Sequence, residues 1–327
     1  MYIKRGFMVI IVLILVSALF AGCAARSAET TAPDPTPEPA PAATAEAEPA
    51  DEGGFTVTDM TGREIWLPEP ATKVVALTAA DVEIIYAIGA GSTLVGRGEY
   101  CNYPPEALDV QSVQSGYETN IEQIIELQPQ LLLMNKMAQT EEQIQQLENA
   151  GIITFVSDAQ SIDETYIAIE LIGKLMGKEA EAAALTAGMK DVFAELNEKA
   201  AAAEGEQKSI YFEVSPLEYG LWTAGSDTFM NEVAIVLGLK NIFDDVVWWA
   251  EISEEQVIER NPDYIMTVGM YFGDGPTPIE SILSRPGWEN ITAIKNSAIL
   301  NLTEDELSRP GPRLADGARM LYEFIYE

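Results

Sequence analysis

The side chains best placed to do chemistry are aromatics and arginines in loop-like stretches. Tyr100, Tyr103, Tyr117, Trp222, Trp248, Trp249, Tyr271 and Phe272 are the aromatics, and Arg97, Arg309 and Arg313 the cations. Aromatic faces with a polar edge hold large planar or greasy molecules. A guanidinium grips carboxylate or catecholate oxygens in pairs. This is the chemistry of capture rather than of bond making. The chain has no histidine, so Cys101 has no imidazole to activate it and reads as a packed thiol. No G-x-S-x-G and no phosphate-cradling P-loop occurs. Gly89-Ala90-Gly91 lacks the third glycine of a dinucleotide fingerprint and reads as a helix end. Imidazole is the usual zinc ligand, so the absence of His also argues against free zinc.

The stretch that positions these residues runs from Ser161 to Ala203. Ser161 followed by Glu164 is a capping-box pattern at a helix start, and good helix formers dominate without a proline. Met176-Gly177-Lys178 predicts a break. The second helix, Glu179 to Ala203, would span roughly 37 Å at 1.5 Å per residue, the reach of a strut between domains. The flanks of this strut resemble each other. EQIIELQPQLLLM from Glu122 aligns with EQVIERNPDYIMT from Glu255, and EIIYAIG from Glu83 with EVAIVLG from Glu232. The pairs occur in the same order, which predicts two similar lobes.

The remainder of the chain supplies the setting. Lys4 and Arg5 precede an apolar run, Phe7 to Phe20, and residues 1–22 read as a secretory signal too short to span a membrane. Residues 23–54 begin at Cys23 and read as a disordered tether of Pro, Ala, Thr and acids, reaching up to about 90 Å if extended. With 19 basic against 52 acidic residues the net charge is −33, which excludes a nucleic-acid footprint.

Residues 55–160 predict a first lobe. It has two short strands around Thr61-Gly62, strands at Lys73–Leu77, Leu94–Gly96, Leu131–Met134 and Ile153–Val156, and helices at Asp81–Ile88, Asn120–Leu127 and Glu141–Asn149. Strands alternating with such helices predict parallel α/β. Residues 161–204 are the linker helices. Residues 205–327 predict a second lobe on the same plan, with strands at Ile210–Val214, Tyr264–Val268 and Ile299–Leu302. Its helices start at Thr228 and Ser253, and one closes the chain from Leu314 to Ile325.

Taken together, VTDMTGREIWLP, KVVAL, EIIYAIGAGSTLVG, EYCNYPPEA, NIEQIIELQPQLLL, ISEEQVIERNPDYI, GWENITAIKNSAI and SRPGPRL resemble the solute-binding proteins of iron-complex and cobalamin ABC importers. The resemblance covers about residues 55 to 327. It implies two Rossmann-like lobes joined by one long rigid helix, with the ligand in the cleft between them. It also implies that Cys23 after Ala-Gly is a lipobox cysteine, although Phe20 stands where Leu is usual. The mature protein would then be lipid-anchored on the outer face of the cell membrane, or periplasmic.

The resemblance assigns further roles. Glu122 and Glu255, each just inside a helix start, would meet arginines of the membrane permease, one per lobe; first-turn acids also simply favour the helix dipole. Tyr100 and Trp249 fall where cobalamin-binding members place aromatics on the corrin, and Tyr117 lies near another such position. Trp222, Tyr271, Arg309 and Arg313 complete the expected ligand site. One of the two arginines would face the cleft and the other form an ion pair, in an order the sequence leaves open. The implied ligand is a prechelated metal, either a ferric siderophore-type complex or a corrinoid, with haem as an alternative through Tyr or Met. No cofactor and no catalytic residue is expected, and the partners would be a permease and its ATPase acting on a monomer. A surface-anchored enzyme or adhesin on the same scaffold is the rival reading.

Overall fold

The computed structural model describes residues 53–115, 118–135, 141–215, 217–269, 275–302 and 305–327. The signal and residues 23–52 of the tether, including Cys23, lie outside the described residues, as do Tyr117, Tyr271 and Phe272. An antiparallel hairpin opens the fold, β1 (Phe55–Thr58) on β2 (Glu64–Leu67). Its turn is set by sequence. Asp59 accepts hydrogen bonds from the backbone N–H of Thr61 and Arg63, and Gly62 takes φ +89°, where a Cβ would be strained.

The first lobe is a five-stranded parallel sheet of β3 (Val74–Ala76), β4 (Leu94–Gly98), β5 (Ser112–Val113), β6 (Leu131–Met134) and β7 (Ile153–Val156). The spatial order is β5-β4-β3-β6-β7, a doubly wound arrangement that reverses direction between β3 and β6. The helices are α1 (Ala79–Ala87), α2 (Ile121–Leu127) and α3 (Glu141–Asn149). β6 is buried at every position, as expected of a parallel strand covered on both faces.

The linker is two helices, α4 (Ile162–Leu175) and α5 (Glu179–Ala201). The 23 residues of α5 make a rod of about 35 Å. Ser161 accepts from the Glu164 N–H at 3.0 Å as expected, but Glu164 reaches back to the N–H of Gln160 rather than to that of Ser161. At the break, Gly177 takes φ +62°. The two helices meet closely at Gly173, where a Cβ would fall 2.4 Å from the Ala182 Cβ.

The second lobe is a six-stranded sheet built from β8 (Ser209–Glu213), β9 (Leu221–Ala224), β10 (Lys240–Asn241), β11 (Trp249–Ile252), β12 (Tyr264–Thr267) and β13 (Ile299–Asn301). Its helices are α6 (Phe229–Val236), α7 (Glu254–Arg260), α8 (Pro278–Leu283), α9 (Thr292–Lys295) and α10 (Leu314–Tyr326). β8, β12 and β13 are parallel, like the first lobe, and β10 joins them. The sheet is not a plain repeat, however. β9 runs antiparallel to both β8 and β11, so Trp222 and Trp249 stand on strands rather than on loops.

The repeat is visible in α2 and α7. Both are seven residues long, begin at a side-chain cap (Asn120, Ser253) and end on a left-handed residue, Gln128 at φ 48° and Asn261 at φ 45°. Proline follows each, and then a buried strand. One apolar core runs through both lobes and the linker, from Ile84 and Ile85 through Ile169, Ile172 and Phe193 to Phe229, Val233 and Leu314.

Candidate functional site

A crevice of about 290 Å³ lies between the lobes. Its first-lobe wall is made where the sheet reverses: Thr78 and Asp81 beyond β3, Asn135 beyond β6, and Ser157 to Gln160 beyond β7. Ligands of open α/β sheets bind at this reversal, beyond the carboxyl ends of the strands. The opposite wall carries Phe229, Trp249, Ser308, Arg309 and Pro310. Trp249 packs on Phe229 with ring centroids 5.4 Å apart. Its indole N–H donates across the crevice to Gln160 Oε1 at 3.2 Å.

The aromatics divide by exposure. Trp222 pairs with Glu251 and Ala224 with Trp249 in the β9–β11 register, so Trp222 and Trp249 share one face of that ribbon. Trp222 remains 38% and Tyr100 64% exposed, and neither lines the crevice. Trp248 is also exposed and takes φ +66°. Tyr103 is 37% exposed, with the Arg313 guanidinium 3.8 Å from its ring centroid.

The arginines are committed to protein partners. Arg313 donates through Nε and Nη2 to Glu83 of α1, at 2.9 and 2.8 Å. Arg309 donates to Glu83 Oε1 at 2.9 Å, to Asp305 Oδ2 at 2.5 Å and to the Tyr100 carbonyl at 3.3 Å. Arg309 therefore lines the crevice and is ion-paired at once, and Arg313 is the buried structural partner. The order that the sequence left open is thus Arg309 at the crevice and Arg313 away from it, with both arginines ion-paired to Glu83. Arg97 serves neither purpose: it is buried and donates to the carbonyls of Ala107, Gly98 and Glu99.

Asp81 was not foreseen. It is 1% exposed, and burial pushes its pKa up to about 6 against the hydrogen bonds of Ser157 and Thr78. Its sequence signal was slight, a T-x-x-D cap pattern. Its partner Ser157 is distant in the chain. Glu232 of α6 ties the second lobe to the linker, accepting the Ile162 N–H at the start of α4 at 2.6 Å. Burial raises its pKa despite that bond. Cys101 is buried, its thiol pushed up to about 12 by desolvation, which makes it a poor nucleophile.

Glu122 and Glu255 occupy equivalent places, each the second residue of its helix and exposed to solvent. A helix leading into a parallel strand runs against it, so its N-terminus lies beside the carboxyl ends of the strands. Glu122 and Glu255 thus present an exposed carboxylate from each lobe near the carboxyl ends of the strands. Hydrogen bonds from its own N–H and from Ser253 lower the Glu255 pKa. Among the described residues no cluster of three His, Cys, Asp or Glu could hold a metal ion.

Two α/β lobes braced by a long helix, with a crevice at their strand ends, define a two-lobed solute-binding architecture. The chain belongs to the periplasmic binding protein family, whose pattern matches residues 74–306. It is 35% identical over 275 residues to the uncharacterized ABC transporter substrate-binding lipoprotein YvrC of Bacillus subtilis, covering 83% of this chain and 85% of the relative. It is 27% identical to the vitamin B12-binding protein of Photorhabdus laumondii, over 76% of this chain and 86% of that one. A solved protein of Staphylococcus epidermidis, described as a possible iron-binding (periplasmic solute-binding) protein, superposes with TM-score 0.66 at 31% identity, covering 79% of this chain and all of the other.

Proposed function

We propose that this protein is the extracytoplasmic solute-binding component of an ABC importer, and that its solute is a metal chelate, a ferric siderophore-type complex or a corrinoid. The observation that carries the reading is the crevice itself. One wall is aromatic (Trp249 on Phe229), the other polar, and Arg309, the guanidinium among the described lining residues, is already ion-paired. Such a site grips a large, neutral, partly apolar molecule by one edge. The exposed Trp222 and Tyr100 then lie at positions to contact the part that protrudes. The relatives named for vitamin B12 and for ABC transport support this ligand class and this role.

Glu122 and Glu255 are the docking carboxylates for permease arginines, one on each lobe. Cys23 carries the lipid, and residues 24–54 lift the lobes off the membrane. The test is incubation with a mixed metabolite pool followed by native mass spectrometry. Retention of one intact chelate supports the reading. Altered products would make the protein an enzyme, and no retention would leave a structural or adhesive role.

A further inference from the structure

The floor of the crevice has a polarity set by one buried group. Ser157 Oγ lies 2.6 Å from Asp81 Oδ1, and Thr78 Oγ1 lies 2.5 Å from Asp81 Oδ2. An ionised carboxylate has no hydrogen to give, so both hydroxyls must donate to it. A hydroxyl has a single hydrogen. Ser157 and Thr78 therefore turn only lone pairs toward the cavity that both of them line. Thr78 also accepts from the Asp81 N–H at 3.3 Å, and Ser157 retains more acceptor capacity. Among the described residues no cation reaches the Asp81 carboxylate, and Arg309 across the cavity is held by Glu83 and Asp305.

We propose that Asp81 is a positioning residue that fixes Ser157 and Thr78 as obligate hydrogen-bond acceptors, so that the ligand edge seated on this floor carries N–H donors, as a primary-amide edge does, and not carboxylate or catecholate oxygens. This rests on the reading of the crevice as a chelate site and narrows it to neutral, amide-bearing complexes such as corrinoids. The crevice holds about 290 Å³, near the lower bound of roughly 300 Å³ for sites that engulf a whole ligand. One edge of a large chelate is therefore what enters. An oxygen-rich anionic edge would meet hydroxyl lone pairs with a carboxylate behind them and would leave buried acceptors facing each other.

The charged and titratable groups around Asp81 are Glu83 on its own helix, the Cys101 thiol from the loop after β4, Asp158 after β7, and Arg309 from the second lobe. Protonation of Asp81, or its replacement by Asn, supplies a hydrogen to one hydroxyl and frees that hydroxyl to donate into the cavity. The floor then loses its single polarity.

The experiment measures binding of cyanocobalamin and of a ferric tricatecholate to the full chain at pH 8 and pH 5. It compares the wild type with Asp81→Asn and Ser157→Ala, with folding checked by circular dichroism. The expected result is cyanocobalamin binding that weakens about tenfold from pH 8 to pH 5 in the wild type, the loss of one good hydrogen bond to an ionised floor. Binding in Asp81→Asn should be weak and independent of pH. Ser157→Ala, which keeps the acid but removes an acceptor, should be weakened at pH 8. Should Asp81→Asn fail to fold, Ser157→Ala carries the same test. Tight wild-type binding with variants unchanged, or preference for the tricatecholate, overturns this inference alone. Failure of the wild type to bind either probe overturns this inference, and the chelate reading falls with it if a ferric hydroxamate is not bound either.

Discussion

Arg313, at the start of the last helix, forks onto Glu83 of the opposite lobe, Nε to Oε2 at 2.9 Å and Nη2 to Oε1 at 2.8 Å. Arg309 adds a third bond to the same carboxylate, and Glu83 is 3% exposed. The angle between the lobes is thus held by a buried ion cluster as well as by the linker.

Removing the shared acid takes the central carboxylate from the buried Arg313 and the half-buried Arg309, although Arg309 keeps Asp305. Glu83→Ala is expected to lower unfolding stability by about 3–5 kcal/mol. Urea titration checks this as a shifted midpoint at unchanged slope. A loss below about 1 kcal/mol, the value of a surface pair, would place the cluster in solvent.

Asp81 titrates in the opposite sense to a salt-bridged acid. Its folded pKa of about 6 exceeds the ordinary 3.8. The folded state therefore binds more protons than the unfolded between these values, and this group's contribution to stability falls as pH rises from 4 to 6. The difference amounts to about 3 kcal/mol at 1.36 kcal/mol per unit. Asp81→Asn is expected to be more stable than the wild type at pH 8 and to lose that advantage at pH 4. Thermal melts at both pH values decide it. A variant less stable at pH 8 would show that the carboxylate is well solvated there.

The equivalence of α2 and α7 gives Glu122 and Glu255 a shared test. The double substitution to Ala should abolish uptake by reconstituted importer while leaving ligand affinity in solution unchanged. Both acids are exposed first-turn residues, so the fold should stay intact, losing only a favourable helix-dipole contact at each helix. Normal uptake would confine them to that dipole role.

Gly173→Ala puts a methyl 2.4 Å from the Ala182 Cβ. Forcing α4 and α5 apart is expected to cost about 1–3 kcal/mol, read from denaturant unfolding. No change would mean that the two helices separate freely at this point.

What the sequence disclosed was local or repeated. Ser161, Asn120, Thr228 and Ser253 announced helix starts because a cap acts within three residues, and all four accept the expected backbone bond. β6 and β7 were legible to the residue because buried parallel strands read as short runs of apolar and β-branched residues. β9 and β11 were missed. Trp222 and Trp249 looked like loop aromatics because their ribbon is half exposed and has no clean alternation. The site was less legible still. The roles of Asp81 and of Glu83 depend on Ser157, Arg309 and Arg313, which the fold brings from 76 to 230 positions away.

The most direct test of the account is cyanocobalamin and ferric hydroxamate titration of the wild type against Trp249→Ala, followed by calorimetry. The account predicts one-to-one binding of a chelate by the wild type, weakened at least about tenfold, or roughly 1.4 kcal/mol, when the indole that faces Gln160 across the crevice is removed. Binding of neither chelate, or equal binding by both proteins, would contradict it.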